Sequence, residues 1–316
     1  MSAREASTME LVVNPSAGGG RAGKRLVALE RALRDAGLRV NVHSTRGRRD
    51  LHDTVKRVVL DKAPLVGVLG GDGTFHDAVN ALLSDEGQLI DCAETVFVSL
   101  PAGTGGDLGA RTLQLPSDPA ALARVVATGR DRAFDLGKIT YVAEGGRRAV
   151  KLFANIASCG ISGRVDDLVA RGPKWLGGKA AYFVASLRAN LGWKNQQVRI
   201  VVDDALLYEG PVMTAAVCNG RAFGGGMLVA PDARADDGVF DITVLGDIGL
   251  AGVATLSSKL YAGTHRAMPE VTVGRGRRVV IETPERDLRL DVDGETPGFG
   301  PATIEMLPGA IKLRHP

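Results

Sequence analysis

The chain changes its period near residue 135, and that change limits the fold more than any other feature. From residue 9 to 134, short apolar runs alternate with helical periodicity. "MELVVN" is followed by a helical pattern over 22–36 ending at Gly37, "RVNVHST" by one over 50–62, "PLVGVLGG" by one from Thr74 to Leu83, and "TVFVSLP" comes last. Such alternation predicts a parallel sheet with helices on both faces. After Asp135 short strands separated by turn residues take over: "RAVKLFANIAS", "VRIVVDD", "ALLYEGPVMTAAVCN", "VFDITVLG", "RVVIET", "DLRLDVDG" and "PATIEMLPGAIKLR". Helical patterns interrupt them near 174–192 and 249–262. This texture predicts a mostly antiparallel β-sandwich. The expectation is an α/β domain over 1–134 and a β-sandwich domain over 135–316, whose last residues can pack back on the first. In such folds ligands bind at the carboxyl ends of the parallel strands, here expected in the interdomain cleft.

Bulk properties exclude several classes. With 316 residues, 45% hydrophobic and 24% charged, the chain is long and apolar enough for two buried cores. It has no apolar run of about 18 residues, and "MSAREASTME" lacks the apolar segment of a secretory signal. The widely spaced Cys92, Cys159 and Cys218 show no metal or disulfide spacing and read as reduced core thiols, which suits a cytoplasmic protein. A net charge of +3 is too mild to argue for nucleic acid. Basic clusters at 46–49, 146–151 and 274–278 are either solvated loop charge or contacts with an anionic membrane surface.

Two glycine-rich turns carry the chemistry. "NPSAGGGRAGK", residues 14–24, matches both a dinucleotide fingerprint and most of a Walker A loop. Walker A needs Ser or Thr after Lys24, and Arg25 stands there. The dinucleotide fold needs an acid at the end of the second strand, and "VHSTRGRR" has none, although arginine there would suit a 2′-phosphate and keeps an NADP-binding oxidoreductase open. A ligand-free turn would also use these glycines. The second turn, in "VGVLGGDGTFHDAVNAL", brings a buried strand through Gly70, Gly71, Asp72 and Gly73 to a helix starting near Thr74. Glycines let backbone N–H groups approach phosphate oxygens, and a carboxylate beside a polyphosphate is repulsive unless a cation intervenes. That pairing predicts metal-assisted phosphoryl transfer.

GGDGT at 70–74, "NPSAGGGRA", "LPAGTGGDLGAR" at 100–111, "CNGRAFGGGMLVAPDARADDGVFDITVL" at 218–245 and "DVDGE" occur in one order across residues 10–313. In these motifs the chain resembles the diacylglycerol kinase catalytic family, the soluble bacterial diacylglycerol kinases and their lipid-kinase relatives, the sphingosine kinases included. NAD kinases share GGDGT but lack the later segments. The resemblance implies a phosphofructokinase- or NAD-kinase-like first domain that binds ATP and a second domain that takes a lipid, most readily diacylglycerol.

By the same resemblance, Asn14 and Thr45 line the nucleotide site, with Lys24 a candidate phosphate partner. Gly70, Gly71, Asp72, Gly73, Thr74, Phe75, His76 and Thr104 meet the phosphates, while Asp72, Asp107 and Asp135 reach Mg²⁺ through water. A second, structural magnesium falls to the Asp237 side chain and the carbonyls of Arg234 and Val239. Glu295 aligns with the general base that works beside catalytic Asp72. Two positions depart from the family: Gly106 replaces an Asn, and "FHDAVN" follows GGDGT. The His76–Asp77 pair resembles the H-E of sphingosine kinases and leaves a sphingoid-base or ceramide acceptor as an alternative. A non-catalytic nucleotide sensor is another. A peripheral membrane contact is expected, with 174–193 as either an interfacial or a core helix, and an edge strand could support a homodimer.

Overall fold

The computed structural model describes residues 8–102, 106–171, 189, 192–285 and 287–316. They form two compact units, Met1–Phe134 with Gly309–Pro316, and Asp135–Pro308.

In the first unit, β1 (Thr8–Val13), α1 (Ala17–Asp35), β2 (Arg39–Ser44), α2 (Arg48–Leu60), β3 (Leu65–Gly70), α3 (Asp72–Asn80), β4 (Val96–Pro101) and α4 (Pro119–Thr128) alternate as expected. β5 (Arg130–Ala143) then leads into the second unit. The strands run parallel in the order β2-β1-β3-β4. β3 is buried at every position, and a Cβ on its Gly67 would lie 2.0 Å from the Met9 side chain, so glycine lets the neighbouring side chain cover that strand. α1 packs with α4 and α2 with α3. Asp118 caps α4 by accepting the Ala121 N–H at 2.8 Å, with Pro119 in the first turn. α3 starts two residues earlier than its periodicity suggests, because Gly71 supplies an extended cap before Asp72.

The second unit holds β6 (Arg148–Phe153), β7 (Ile156–Gly160), α5 (Ile161–Arg171), β8 (Gln196–Val202), β9 (Ala205–Val212), β10 (Thr214–Cys218), β11 (Phe240–Leu245), α6 (Leu250–Ala262), β12 (Val271–Gly276), β13 (Arg278–Glu282), β14 (Leu290–Val292) and the start of β15 (Gly298–His315). β13, β8 and β9 pair antiparallel with residues 302–305 of β15 at one side, and β5 pairs with β6. A second antiparallel sheet has the order β12-β11-β10-β7-β14. One core contains Phe153 and Phe240, stacked at 5.6 Å between ring centroids. Another lies against α5 and α6 and includes Ile161, Val165, Leu256 and Leu260. "RAVKLFANIAS", expected as one strand, breaks at Ala154–Asn155 into β6 and β7 of different sheets.

Beyond Pro308 the chain belongs to the first unit again, where Gly309 has φ +57 and Lys312 and Leu313 pair parallel with Val96 and Phe97 of β4. Cys92, Cys159 and Cys218 are free and buried, and burial pushes the Cys159 thiol up to about 12. No described helix is long and apolar enough to cross a membrane. Most of 174–193 lies outside the described residues.

Candidate active site

In the first unit the site residues follow the carboxyl ends of the parallel strands. Asn14 follows β1, Thr45 follows β2, and Gly70 to Asp72 close β3, the edge where open α/β sheets bind ligands. Asn14 donates its N–H to Leu69 O at 3.3 Å, tying the first loop to the end of β3. Its Oδ1 accepts from Ser16 Oγ at 2.7 Å. Next, Gly18, Gly19 and Gly20 take φ of +61, +69 and +85, left-handed values that only glycine adopts readily in succession. Regular α1 begins beyond them, where the Arg21 Nε donates to Gly18 O at 2.8 Å. Thr45 donates both its N–H and its hydroxyl to Val13 O, at 2.8 and 2.9 Å, fixing the end of β2 against β1.

The β3–α3 turn is built by two kinds of glycine. A Cβ on Gly70 would lie 2.3 Å from the Thr74 Cβ, so glycine lets the buried Thr74 fold back over the strand end. A Cβ on Gly71 or Gly73 would meet nothing within 4 Å, and both are exposed, leaving bare backbone at a helix N-terminus. Asp72 sits in the first helical turn, where negative charge is favoured. Its Oδ2 accepts the N–H of Asp107 at 2.7 Å and of Leu108 at 3.4 Å, which brings the two aspartates to one place. Phe75 and His76 are both buried, and Asn80 Nδ2 donates to His76 O at 2.9 Å. Asp77 faces α2, with Arg48 Nε at 2.8 Å and His52 Nε2 at 3.9 Å. Burial raises its pKa, but His52 and the Arg48 guanidinium outweigh that, and the carboxyl lies below its usual value. Thr104 lies outside the described residues.

The second unit holds the remaining acids. Asp135, 2% exposed, accepts the Gly238 N–H at 2.7 Å and donates its own N–H to Ala235 O at 2.7 Å, fixing the 234–239 turn. Asp237 accepts the Val239 N–H at 3.3 Å and an Arg275 N–H at 2.5 Å. Arg275 stands opposite Asp241 in the β11–β12 register, with its Nε 3.5 Å from that carboxylate. The turn expected to hold a structural cation through Arg234, Asp237 and Val239 therefore has a guanidinium on its one carboxylate side chain of that set, a poor fit to a second positive charge. The Asp72–Asp107 pair fits better, since hard carboxylate oxygens are what Mg²⁺ takes alongside water and phosphate. Glu295 follows a tight turn, its backbone bonded both ways to Val292 at 2.8 and 3.1 Å. Sequence reasoning passed over Arg275, Asn219 and Asp293. Only the D-x-D-G-E spacing signalled the last of these.

Exposed glycine backbone at the carboxyl ends of a parallel sheet, with the Asp72 carboxylate fixed by the Asp107 N–H beside it, has the parts a nucleotide-using phosphotransferase needs. Comparison with known proteins agrees. Residues 8–139 match the family model of the diacylglycerol kinase catalytic domain, and residues 155–315 match that of the YegS C-terminal NAD kinase beta sandwich-like domain. A diacylglycerol kinase of Mycobacterium tuberculosis is 28% identical, covering 99% of this chain and 96% of that protein. A probable lipid kinase YegS-like protein of Stenotrophomonas maltophilia is 28% identical, covering 90% of this chain and 89% of its own. A crystal structure of a diacylglycerol kinase from Bacillus anthracis superposes with a TM-score of 0.73 at 21% identity, over 99% of this chain and 98% of that one. A yeast NADH kinase shares the fold at a TM-score of 0.52 and 13% identity, over 99% of this chain and 84% of that one. The chain belongs to the diacylglycerol kinase and YegS-like lipid kinase family. It is a lipid kinase, and membership of a kinase family implies ATP as phosphate donor.

Proposed function

We propose that this kinase phosphorylates the free hydroxyl of diacylglycerol to give phosphatidic acid, using Mg²⁺ with ATP. The observation that carries it is the Asp72 carboxylate, held by the Asp107 N–H at the head of α3 beside the bare backbone of Gly71 and Gly73. That arrangement supplies N–H donors for phosphate oxygens and carboxylates for a hard cation. The acceptor is supported by the diacylglycerol kinase relative that matches 99% of the chain.

In the reaction the acceptor oxygen bonds to the γ-phosphorus, the bond to the β–γ bridging oxygen breaks, and ADP departs with that electron pair. A lipid hydroxyl is too weak an acid to ionise freely at neutral pH, so Glu295 takes its proton as the new bond forms. The backbone of Gly71 and Gly73 and the first turn of α3 orient the phosphates, with Asn14 and Thr45 on the nucleotide side. Mg²⁺, held through Asp72 and Asp107, with Asp135 as a further acid, would neutralise charge on the transferring group. Most of the acceleration comes from positioning and charge neutralisation. The enzyme would meet its substrate by peripheral contact with the bilayer. The clusters at 46–49 and 146–151 suit this, with Arg46, Arg49, Arg147 and Arg148 exposed. The 274–278 cluster suits it less, because Arg275 pairs with Asp237 and Arg278 lies 3.5 Å from Asp204. The His76–Asp77 pair lends a sphingoid base little weight, since His76 is buried and Asp77 is paired with Arg48.

The test is transfer from labelled ATP to diacylglycerol, monoacylglycerol, sphingosine, ceramide and phosphatidylglycerol in mixed micelles. Label is expected on diacylglycerol, with Asp72→Ala inactive and Glu295→Gln reduced ~10²–10⁴-fold. Label on another lipid would replace the acceptor. ATP binding without transfer to any of them would favour a nucleotide sensor.

A further inference from the structure

The segment 291–295 carries three carboxylates with different surroundings. Asp291, 4% exposed, accepts the Gly294 N–H at 2.8 Å and has Ser158 Oγ at 3.0 Å. Glu295 leaves the turn with its backbone clamped to Val292. Between them Asp293 adopts φ +53, a left-handed value rare for a residue with a side chain. Its carboxylate accepts three consecutive backbone N–H groups: Ala154 on Oδ2 at 2.9 Å, and Asn155 and Ile156 on Oδ1 at 3.0 and 2.9 Å. Its own N–H donates to Ile156 O at 2.9 Å. These are the residues at which the chain passes from β6 to β7.

The bonds continue inward. Asn155 O accepts the N–H groups of Asn219 and Gly220 at 2.9 and 2.8 Å. Asn219, fully buried, donates its side-chain amide to Ala154 O and to Asp135 O, each at 2.8 Å. The carboxylate of Asp135 in turn accepts the Gly238 N–H. We propose that Asp293 is the positioning residue for Glu295: it fastens the Glu295 turn to 154–156, which Asn219 fastens to Asp135, so base and acid ride on one buried hydrogen-bonded frame. The inference rests on the reading of Glu295 as acceptor of the lipid hydroxyl's proton. A carboxylate bonded to three N–H groups in a row sets position and angle together, which proton transfer over hydrogen-bond reach demands.

The experiment compares wild type, Asp293→Asn and Glu295→Gln for melting temperature, kcat, KM for ATP and the acid limb of kcat against pH. Asparagine keeps the shape but turns an N–H donor toward N–H donors. The expected result for Asp293→Asn is a folded protein with KM for ATP within twofold, kcat lowered by ~100-fold, the loss a displaced catalytic group gives, and a shifted acid limb. A residue that only braced the fold would lower the melting temperature and leave kcat per folded molecule and the acid limb alone; that result overturns the proposal. If Asp293→Asn does not fold, Asn219→Ala makes the same test from the far end of the frame. Glu295→Gln separates the two ideas: full activity in it sinks the reading of Glu295, whereas a dead Glu295→Gln with a normal Asp293→Asn sinks the positioning role alone. Amide exchange reads the frame without turnover. The N–H groups of 154–156 are protected in wild type and lose protection in Asp293→Asn, and solvent-rate exchange in wild type would overturn the frame itself.

Discussion

Gly106 shows how a residue can matter through what it lacks. Where the family carries Asn, a Cβ here would lie 2.6 Å from Asp72 Oδ1 and 3.4 Å from Oδ2. The space of the missing side chain is the space the Asp72 carboxylate uses to reach the Asp107 N–H. Gly106→Asn therefore restores a family residue and damages the site. We expect kcat to fall by ~100-fold as Asp72 is displaced, with melting temperature little changed. Activity at or above wild type would show that Asp72 tolerates the move. At this scale the sequence told residue types but not their partners. GGDGT marked the turn because glycine and aspartate suit phosphate and metal, while the bond from Asp107 to Asp72 spans 35 positions and leaves no local trace. Phe75 and His76, inside the same motif, are buried in the core, which the motif alone does not signal.

Among the elements, the parallel strands and their helices were legible because period and punctuation agreed in each. The divide between β6 and β7 was not. Apolar residues flank Ala154–Asn155 without a Gly or Pro, and the break is imposed by Asp293 from far along the chain. The 234–239 turn is a second case, where "ADDG" suggests a cation site but Arg275 arrives from β12 to neutralise Asp237. Its guanidinium is half exposed, so the pair is worth about 0.5–1 kcal/mol. Arg275→Gln should lower the melting temperature by roughly 1–3 °C. Without nucleotide, magnesium should move the melting temperature of wild type and Asp237→Asn alike. A magnesium-dependent rise that vanishes in Asp237→Asn would mean that the turn takes a cation after all.

For the whole molecule, stability should fall with acid in two stages. His265 is fully buried, with Nε2 3.1 Å from Val229 O. A carbonyl only accepts, so Nε2 bears the proton, and Nδ1 has no partner among the described residues. Burial holds its pKa below the ordinary value. The unfolded chain therefore binds this proton first, and stability declines as pH drops below about 6.5 until the lower folded value is passed. Asp77 adds the second stage in the same direction, at lower pH. Its lowered folded pKa adds stability above the unfolded carboxyl value of about 3.9, and that is lost as pH falls through the folded one. Melting temperature against pH, with His265→Gln removing the first stage, checks the order; a flat profile from pH 7 to 5 in wild type would contradict it. The two-part architecture was legible from the change of period at 135, but the return of residues 309–316 to the first unit rests on long-range partners, pairing with β4 and the Arg314 guanidinium on Asp131 among them, that leave no local pattern. That return has a consequence for biosynthesis. The sheet that is translated first takes its fifth strand from residues made only after the whole second unit, so the nascent first unit waits with β4 as a bare edge while residues 135–308 are synthesised. Order of synthesis and order of completion run in opposite directions.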